Sequence, residues 1–249
     1  MQNVRDPCAL CLKSGHKINR TAAGCNLNSL QEHYSQIKSR IERAARAAGR
    51  SEDSVVLVAV SKRQSVEAMA QLAALGQRDF GESYLQEALE KQAVLAGQPV
   101  GASLIWHFIG PIQSNKTRGI AENFSWVHSV DRPKIAQRLN DQRPAELPPL
   151  NVLIEVNIDG EASKSGVTPE QLPEMVSVFR DLSRLKLMGL MVIPAPGSQD
   201  GFRRLAALNA RLDSPLPVLS MGMSDDFEAA IAAGSTHVRV GSALFGARQ

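Results

Sequence analysis

Short apolar runs alternate with segments of helical periodicity along most of the chain. The clearest run is Val-Val-Leu-Val-Ala-Val at 55–60, which is β-branched and apolar on both faces, as in a buried parallel strand. Seven further runs are predicted as strands: 78–81, 104–109, 125–128, 151–156, 185–191, 216–220 and 236–240. The segments between them are long enough for the crossover helices that parallel strands require: 65–75, 84–94, 114–121, 131–141, 168–181, 199–211 and 224–232.

A longer helix is predicted ahead of the first strand. Leu30, Ile37 and Ile41 lie on one face at helical spacing, which is typical of a helix packed on a core. Asn28 or Ser29 can cap its start, and the pattern continues to about residue 48. We therefore expect the folded domain to span 28–249.

Repeated alternation of strand and helix predicts an α/β protein, a single (β/α)8 TIM barrel. The length of 249 residues suits one such domain. An open doubly wound sheet is the alternative, but it usually carries a glycine-rich turn after the first strand. The Ser-Lys-Arg-Gln sequence at 61–64 is unlike such a turn, so the closed barrel is favoured.

Composition narrows the function classes. Nine Lys/Arg against three Asp/Glu in residues 1–50 give +6 there, whereas the whole chain carries +3, so the remainder is mildly acidic. Aromatic residues make up only 4%, which argues against a nucleic-acid binder. The longest aliphatic run, 55–60, is far below the roughly 20 residues of a membrane span. We expect a soluble cytoplasmic protein that binds neither nucleic acid nor membrane.

The first 27 residues lie outside the periodic pattern. They contain all three cysteines, Cys8, Cys11 and Cys25, together with His16, which resembles the start of a zinc knuckle. The spacing to Cys25 is too long for a compact knuckle, and no apolar pattern supports a fold there. A disordered leader or a non-native start over 1–27 is favoured, and no metal site is predicted.

Lys62 is the first candidate for chemistry. Alternation along the first strand puts Val58, Val60 and Lys62 on one face and Ser61 on the other. If that face points inward, Lys62 projects into the barrel mouth, where partial desolvation favours the neutral, nucleophilic amine. A lysine at the strand end that points to solvent is the alternative.

Two loops rich in small residues are candidates for an anion site. Barrels often bind phosphate after strands seven and eight. Here those strands lead into Ser220–Asp226 and Val240–Ser242, where Ser224 and Ser242 can donate hydroxyl groups. We expect these loops opposite the inward lysine; ordinary turn chemistry is the alternative.

A lysine and a phosphate site together predict pyridoxal 5′-phosphate as the cofactor. Arg239 shares the inward face of strand eight with Gly241 and can donate to the pyridine nitrogen. A permanently charged arginine disfavours protonation of that nitrogen and so weakens the ring as an electron sink. A structural ion pair is the alternative role for Arg239.

From about Leu30 to Arg248 the chain closely resembles the pyridoxal-phosphate homeostasis protein family. These proteins are single barrels similar to the N-terminal domain of alanine racemase and to fold-type III enzymes. The matching stretches are 57–62, 80–82, 106–116, 163–166, 189–191, 219–226 and 238–246. Ser83 departs from the family, which usually has asparagine there, and Arg63 departs from a small or polar residue.

The resemblance implies roles for individual residues. Lys62 forms the Schiff base, and Arg239 lies by the pyridine nitrogen. The other cofactor-binding positions that it implies are Ser83, His107, Asn115, Met223, Ser224, Gly241 and Ser242. Lys164 resembles a second lysine implicated in cofactor transfer. No residue is assigned a catalytic role.

The function implied is binding, buffering and delivery of pyridoxal phosphate, which sustains vitamin B6 and amino-acid homeostasis without turnover. Apo forms of pyridoxal-phosphate enzymes are the expected protein partners, and a monomer or weak dimer is the expected state. An active fold-type III racemase or decarboxylase is the competing hypothesis. A lysine aldolase without pyridoxal and an interaction role for the basic leader are further alternatives.

Overall fold

Eight parallel strands close into a barrel. The computed structural model describes residues 22–161, 163–195, 198 and 200–246, with side chains from Ser29 onward. The strands are β1 (Val56–Val60), β2 (Asp79–Glu82), β3 (Ile105–Phe108), β4 (Trp126–Val130), β5 (Leu150–Glu155), β6 (Leu185–Met191), β7 (Val218–Ser220) and β8 (His237–Val240). They pair in chain order, and β8 pairs back with β1. The predicted (β/α)8 barrel is confirmed.

Helices follow the strands and cover the outside of the barrel. In the described part of the chain they are α1 (Ala22–Ala47), α2 (Val66–Ala74), α3 (Leu85–Ala96), α4 (Thr117–Asn123), α5 (Pro133–Gln142), α6 (Leu172–Val178), α7 (Asp200–Ala210), α8 (Phe227–Ala232) and α9 (Ser242–Phe245), with 3₁₀ turns at Glu52–Ser54, Gly101–Ser103 and Phe179–Asp181. Of these helices, none is long and apolar enough to cross a bilayer.

The start of the first helix differs from the prediction. α1 begins at Ala22, so the predicted cap at Asn28 or Ser29 is wrong. Alanine has the highest intrinsic helix propensity, which favours extension through Ala22 and Ala23. The predicted boundary at residue 27 therefore falls within a helix. Cys8, Cys11 and His16 of the candidate zinc motif lie outside the described residues.

Strand side chains alternate between two environments. Leu57, Ala59 and Phe80 point outward and pack with the helices in the main hydrophobic core. The helices contribute large buried side chains to this layer, among them Met69, Leu72, Ile120, Ile135, Phe202 and Phe227. The inner faces instead combine a small apolar cluster, Leu153, Met191 and Val218, with buried polar side chains.

α1 covers the place where the barrel closes. It packs against α8 and α9, the helices that flank β8, and also against α2. Ile37 and Ile41 are buried in this contact, as their periodicity predicts. At its edge Arg40 pairs with Glu228 at 2.6 Å, while Arg50 donates to the Ser235 carbonyl at 2.6 Å. The first and last elements of the barrel are thus held together.

We predict that Gly189→Ala strongly destabilises the barrel. Gly189 pairs with Val218 across β6 and β7, and an added Cβ would lie 1.8 Å from the Val218 carbonyl oxygen. The two strands must therefore separate, which should lower the free energy of unfolding by about 2–3 kcal/mol. Denaturant titration measures this effect.

Gly97→Ala is the matched control. Its added Cβ would come no closer than 3.7 Å to the Val94 carbonyl, and the backbone there has φ −77°. This variant should stay within about 0.5 kcal/mol of the parent. Equal stability of the two variants would contradict the close approach of β6 and β7.

Candidate functional site

The inner face of β1 leads directly to Lys62. Val56 and Val58 pair in register with His237 and Arg239, whose side chains are buried inside the barrel. The even-numbered side chains of β1 therefore face inward. Lys62 lies two residues beyond the end of the strand, at the carboxyl rim, and is half-buried. That the Lys62 amine points into the mouth is the prediction made by extending this alternation beyond Val60.

The loops after β7 and β8 converge on one hydroxyl group. Ser224 Oγ accepts hydrogen bonds from the backbone N–H groups of Gly241 at 3.4 Å and Ala243 at 3.3 Å. Ser224 is half-buried and Ser242 is exposed beside it. We call this group, Ser224 with Gly241–Ala243, the anion cradle. It brings neutral N–H and O–H groups together at the rim of the barrel, where the Gly241 and Ala243 N–H groups are bonded to Ser224 Oγ.

Glycines allow the cradle to form. Gly222 has φ +94°, and an added Cβ would lie 2.6 Å from Ala230 Cβ and 2.9 Å from Phe227 Cα. A Cβ on Gly241 would lie 3.3 Å from Val60 Cβ. The cradle is therefore built against the end of β1.

This position corrects one expectation. The two loops were expected opposite the lysine, but closure pairs β8 with β1 and brings the cradle beside the strand that ends before Lys62. In a closed barrel the first and last strands are neighbours, so the amine and the anion cradle lie on adjacent strands. A ligand held by both would span a short arc of the rim.

Arg239 is buried within the barrel and bonded to oxygen atoms. Its Nη1 donates to the Ser220 carbonyl at 2.8 Å and to Ser220 Oγ at 2.7 Å, and its Nη2 donates to the Val192 carbonyl at 3.0 Å. Within the described residues it forms no ion pair, so the alternative of a structural ion pair is wrong there. Burial lowers the pKa of Arg239 to about 10, which leaves it protonated at neutral pH.

A chain of hydrogen bonds extends from Arg239 through the barrel interior. Ser220 Oγ lies 2.9 Å from His128 Nδ1, and His128 Nε2 lies 2.9 Å from His107 Nδ1. His107 Nε2 in turn lies 3.0 Å from Asp79 Oδ1. His107 was expected near the mouth; instead it is fully buried with both ring nitrogens engaged by protein. We call these five residues the interior chain.

Burial keeps the interior imidazoles neutral. It lowers the pKa of His107, lowers that of His128 well below its usual value, and lowers that of the neighbouring His237 to about 4. A neutral imidazole has one donor and one acceptor nitrogen. One arrangement satisfies the whole interior chain: Ser220 donates to His128, His128 donates to His107, and His107 donates to the Asp79 carboxylate. Every bond then points away from Arg239.

Two carboxyl groups occupy the opposite half of the mouth. Glu155 at the end of β5 pairs in register with Met191 and so faces inward. Burial raises the pKa of Glu155 to about 7, assisted by the nearby negative charge of Asp131 and opposed by Arg239. Burial also raises the pKa of Asp131, although Arg132 opposes this shift. Of the two acids, Glu155 lies near enough to the buried Arg239 for their charges to influence each other's pKa.

The remaining predicted residues surround the rim on separate loops. Ser83 is half-buried after β2, and its backbone lies so close to Gly110 that an added Cβ there would be 2.4 Å from the Ser83 carbonyl oxygen. Asn115 and Met223 are exposed after β3 and β7. Lys164, after β5, pairs with Glu161 at 2.9 Å. Within the described part of the chain, no side-chain hydrogen bond or ion pair is found between these residues and Lys62.

Sequence reasoning missed most of the interior. The alternation rule that pointed Lys62 inward also points Asp79, His128 and Glu155 inward, because each shares a face with an inward neighbour on its strand. Applying that rule to every strand would have found them. The role of Ser220 in the interior chain was also missed, because the sequence suggested it only as the start of a loop. The described residues contain no group of three or more His, Cys, Asp or Glu arranged to hold a metal.

Comparison with known proteins first gives the class. The alanine racemase N-terminal domain family matches residues 32–249. A solved structure, PipY of Synechococcus elongatus with pyridoxal phosphate bound, superposes with a TM-score of 0.76 at 34% identity, covering 87% of this chain and all of that one. The barrel is therefore of the alanine racemase N-terminal type.

Two curated relatives then give the family. The pyridoxal phosphate homeostasis protein of Pseudomonas aeruginosa is 56% identical over 227 residues, covering 89% of this chain and 97% of the relative. The protein of the same name from Escherichia coli is 50% identical over 231 residues, covering 89% and 98%. The chain belongs to the pyridoxal phosphate homeostasis protein family, as its motifs indicated.

We predict that Glu155→Gln changes stability in a pH-dependent manner in the ligand-free protein. The raised pKa, about 7 when folded, means that the folded state binds this proton more tightly than the unfolded state. The stabilisation is complete below pH 4.5 and is lost as pH rises through 7. Glutamine, which stays neutral, should match the parent near pH 5 and exceed it by about 1–3 kcal/mol near pH 8.5.

Chemical denaturation at the two pH values measures this difference. Glu32→Gln, on the exposed side of α1, removes the same charge far from the mouth and serves as the control. A Glu155→Gln effect of equal size at both pH values would show that Glu155 does not titrate as described.

Proposed function

We propose that this chain binds pyridoxal 5′-phosphate at the barrel mouth, buffers it and delivers it to apo enzymes, without turnover of its own. The observation that carries the proposal is the closure of the barrel: it brings the rim lysine, Lys62, beside the anion cradle of Ser224 and Gly241. An amine next to a group of N–H and O–H donors suits a ligand with both an aldehyde and a phosphate.

When bound, this cofactor supplies an aldehyde carbon that forms a C=N bond with a neutral lysine amine, the oxygen leaving as water with the two amine protons. The residues present fit such a group. The close approach of Gly241 to Val60 and the crowding at Gly222 leave the cradle lined by backbone and small side chains. Ser224 and Ser242 supply hydroxyl donors to a phosphate.

Arg239 supports binding rather than catalysis. We propose that it faces the pyridine nitrogen. Three of its five donors are used by Ser220 and Val192 in the described structure. A protonated arginine there keeps the ring nitrogen unprotonated and the ring a weak electron sink. His107 then acts through the interior chain on Arg239 and does not touch the ligand.

Other rim residues complete the proposed site. Ser83, Asn115 and Met223 follow the carboxyl ends of β2, β3 and β7, where barrel ligands bind. Lys164 lies on the loop after β5, which Asn157 ties down by donating to the Glu161 carbonyl at 2.8 Å. A second lysine on a separate rim loop suits a role in cofactor transfer. The relatives' names support a place in pyridoxal phosphate homeostasis. We propose in addition that the protein acts in the cytoplasm as a monomer or weak dimer.

A second candidate function is a fold-type III racemase or decarboxylase. Glu155 favours it, because an inward carboxyl group with a pKa of about 7 is suited to general acid–base work. Purified loaded protein should nonetheless neither racemise nor decarboxylate any amino acid above the buffer rate. Turnover that Glu155→Gln abolishes would replace the carrier proposal with this one.

Lys62→Ala should abolish the near-visible absorption of the loaded protein and its irreversible labelling with borohydride, since the amine is lost. A half-buried rim lysine contributes little to folding, so the free energy of unfolding should change by less than about 0.5 kcal/mol. Lys134→Ala, on the exposed side of α5, is the charge-matched control. Labelling that persists in Lys62→Ala would assign the linkage to another lysine.

Ser224→Ala combined with Ser242→Ala should weaken phosphate binding. Each lost hydrogen bond to a charged group contributes about 1 kcal/mol or more, so cofactor release should be roughly tenfold to a hundredfold faster. Stopped-flow transfer to an apo-enzyme acceptor measures the rate. Ser39→Ala, exposed on α1, is the control, and an unchanged release rate in the double variant would place the phosphate elsewhere.

A further inference from the structure

A buried ammonium group holds the turn that carries Lys62. Lys91, on α3, is 5% exposed and donates to the Ser61 carbonyl at 2.7 Å. It also donates to Glu82 Oε1 at 2.9 Å and to Glu87 Oε1 at 2.6 Å. The three hydrogens of the ammonium therefore have three oxygen partners, and one of them is the carbonyl that precedes Lys62.

The two carboxylates extend the contact to both sides of Lys62. Glu82 Oε1 accepts from Ser61 Oγ at 2.7 Å, and Glu87 Oε1 accepts from the Arg63 backbone N–H at 2.5 Å. One lysine and two glutamates thus bind the hydroxyl and carbonyl of the residue before Lys62 and the amide of the residue after it. We call Lys91, Glu82 and Glu87 the turn clamp.

The clamped turn contains a strained residue. Arg63 has φ +60°, and it is the one non-glycine residue with positive φ in the described part of the chain. This left-handed conformation costs about 1–2 kcal/mol for a residue with a Cβ. The bond to Glu87 and the stacking of the Arg63 guanidinium over the Tyr84 ring, 5.7 Å from its centroid, offset that strain. The backbone around Lys62 is therefore held in one uncommon shape.

A contribution to folding stability does not by itself account for the buried ion pairs of the turn clamp. Buried ion pairs often contribute less to stability than apolar side chains of similar size, because desolvation offsets their attraction. Glu82 is fully buried, and its Oε2 has no hydrogen-bond partner among the described residues. The clamp nevertheless concentrates its bonds on the two residues that flank Lys62.

We infer that the turn clamp is a positioning device for Lys62: Lys91, held by Glu82 and Glu87, fixes the direction of the Lys62 side chain and so strengthens its covalent hold on the aldehyde. The inference rests on the proposed function, because it assigns the clamp to the same lysine. None of the three clamp residues touches the ligand. Their effect reaches it through the backbone of Ser61 and Arg63.

Measuring two ligands distinguishes a loss of Lys62 positioning from a general loss of ligand binding. Pyridoxal 5′-phosphate carries the aldehyde, whereas pyridoxine 5′-phosphate carries an alcohol and can use only the ring and phosphate contacts. The ratio of their affinities therefore measures the contribution of the Lys62 linkage. The test variant is Lys91→Met with Glu82→Gln, which removes both charges of the fully buried pair together. Glu87, which is half-buried, loses its ammonium partner but keeps its bond to the Arg63 amide. Lys134→Met is the control.

The variant should lower the affinity ratio about tenfold, the effect of losing one charge-assisted hydrogen bond that orders the amine. Pyridoxine 5′-phosphate affinity should stay unchanged, as should the ratio in Lys134→Met. On a Lys62→Ala background the clamp substitutions should change neither affinity. Thermal unfolding confirms that each variant is folded. An unchanged ratio in the folded variant, or an equal loss for both ligands, would overturn the inference.

Glu87→Gln provides the second measurement if the double variant does not fold. Glu87 is half-buried and binds both the ammonium and the Arg63 amide, so the ratio should fall by about threefold, and an unchanged ratio overturns the inference. Failure of the proposed function would look different. The parent protein would then show no preference for the aldehyde, and Lys62→Ala would behave like the parent.

Discussion

The pairing of β8 with β1 is the constraint on which the site depends. It brings Val58 level with Arg239 and places Gly241 against Val60, so that the rim amine, the anion cradle and the buried arginine share one seam of the barrel. The amine follows β1, whereas the arginine and most of the cradle lie on or just after β8, and none of these groups forms a site alone. Closure also explains why the cradle needs glycine, since a Cβ at 241 would press on β1.

The barrel interior has two electrostatic halves around this seam. On one side, Arg239 begins a directional series of hydrogen bonds that ends on the Asp79 carboxylate, with neutral imidazoles between the two charges. On the other side, Glu155 and Asp131 resist ionisation because they are poorly solvated. A buried cation with fully ordered neutral neighbours is pre-organised, because its orientation is set before any ligand arrives.

Much of the fold and part of the site could be predicted from the sequence. The β-branched run at 55–60 and the alternation after it gave all eight strands within a few residues, because parallel strands buried on both faces have a strong apolar signature. The inward face of β1 could be predicted from a period of two, and the inward direction of Lys62 extends that prediction past the strand end. The start of α1 could not be predicted, because Asn28 and Ser29 are good caps but are also tolerated within a helix.

The cradle was placed on the wrong side of Lys62, because chain order does not show which strands become neighbours on closure. The role of Lys91 could not be predicted from the sequence: helical spacing suggests its i,i+4 pair with Glu87, but Ser61, 30 residues away, and Glu82, on a neighbouring strand, meet it only after packing.

The seam between the first and last strands has a consequence for biosynthesis. Arg40 and Glu228, which pair across it, are separated by 188 residues, and the cradle itself is made from residues near the end of β8. A nascent chain emerging from the ribosome therefore has Lys62 long before it has anything to close against. Gly241, Ser242 and Arg239 are therefore missing from any partly synthesised form that lacks β8, and a chain stalled before β8 has the rim lysine without the cradle or the buried arginine.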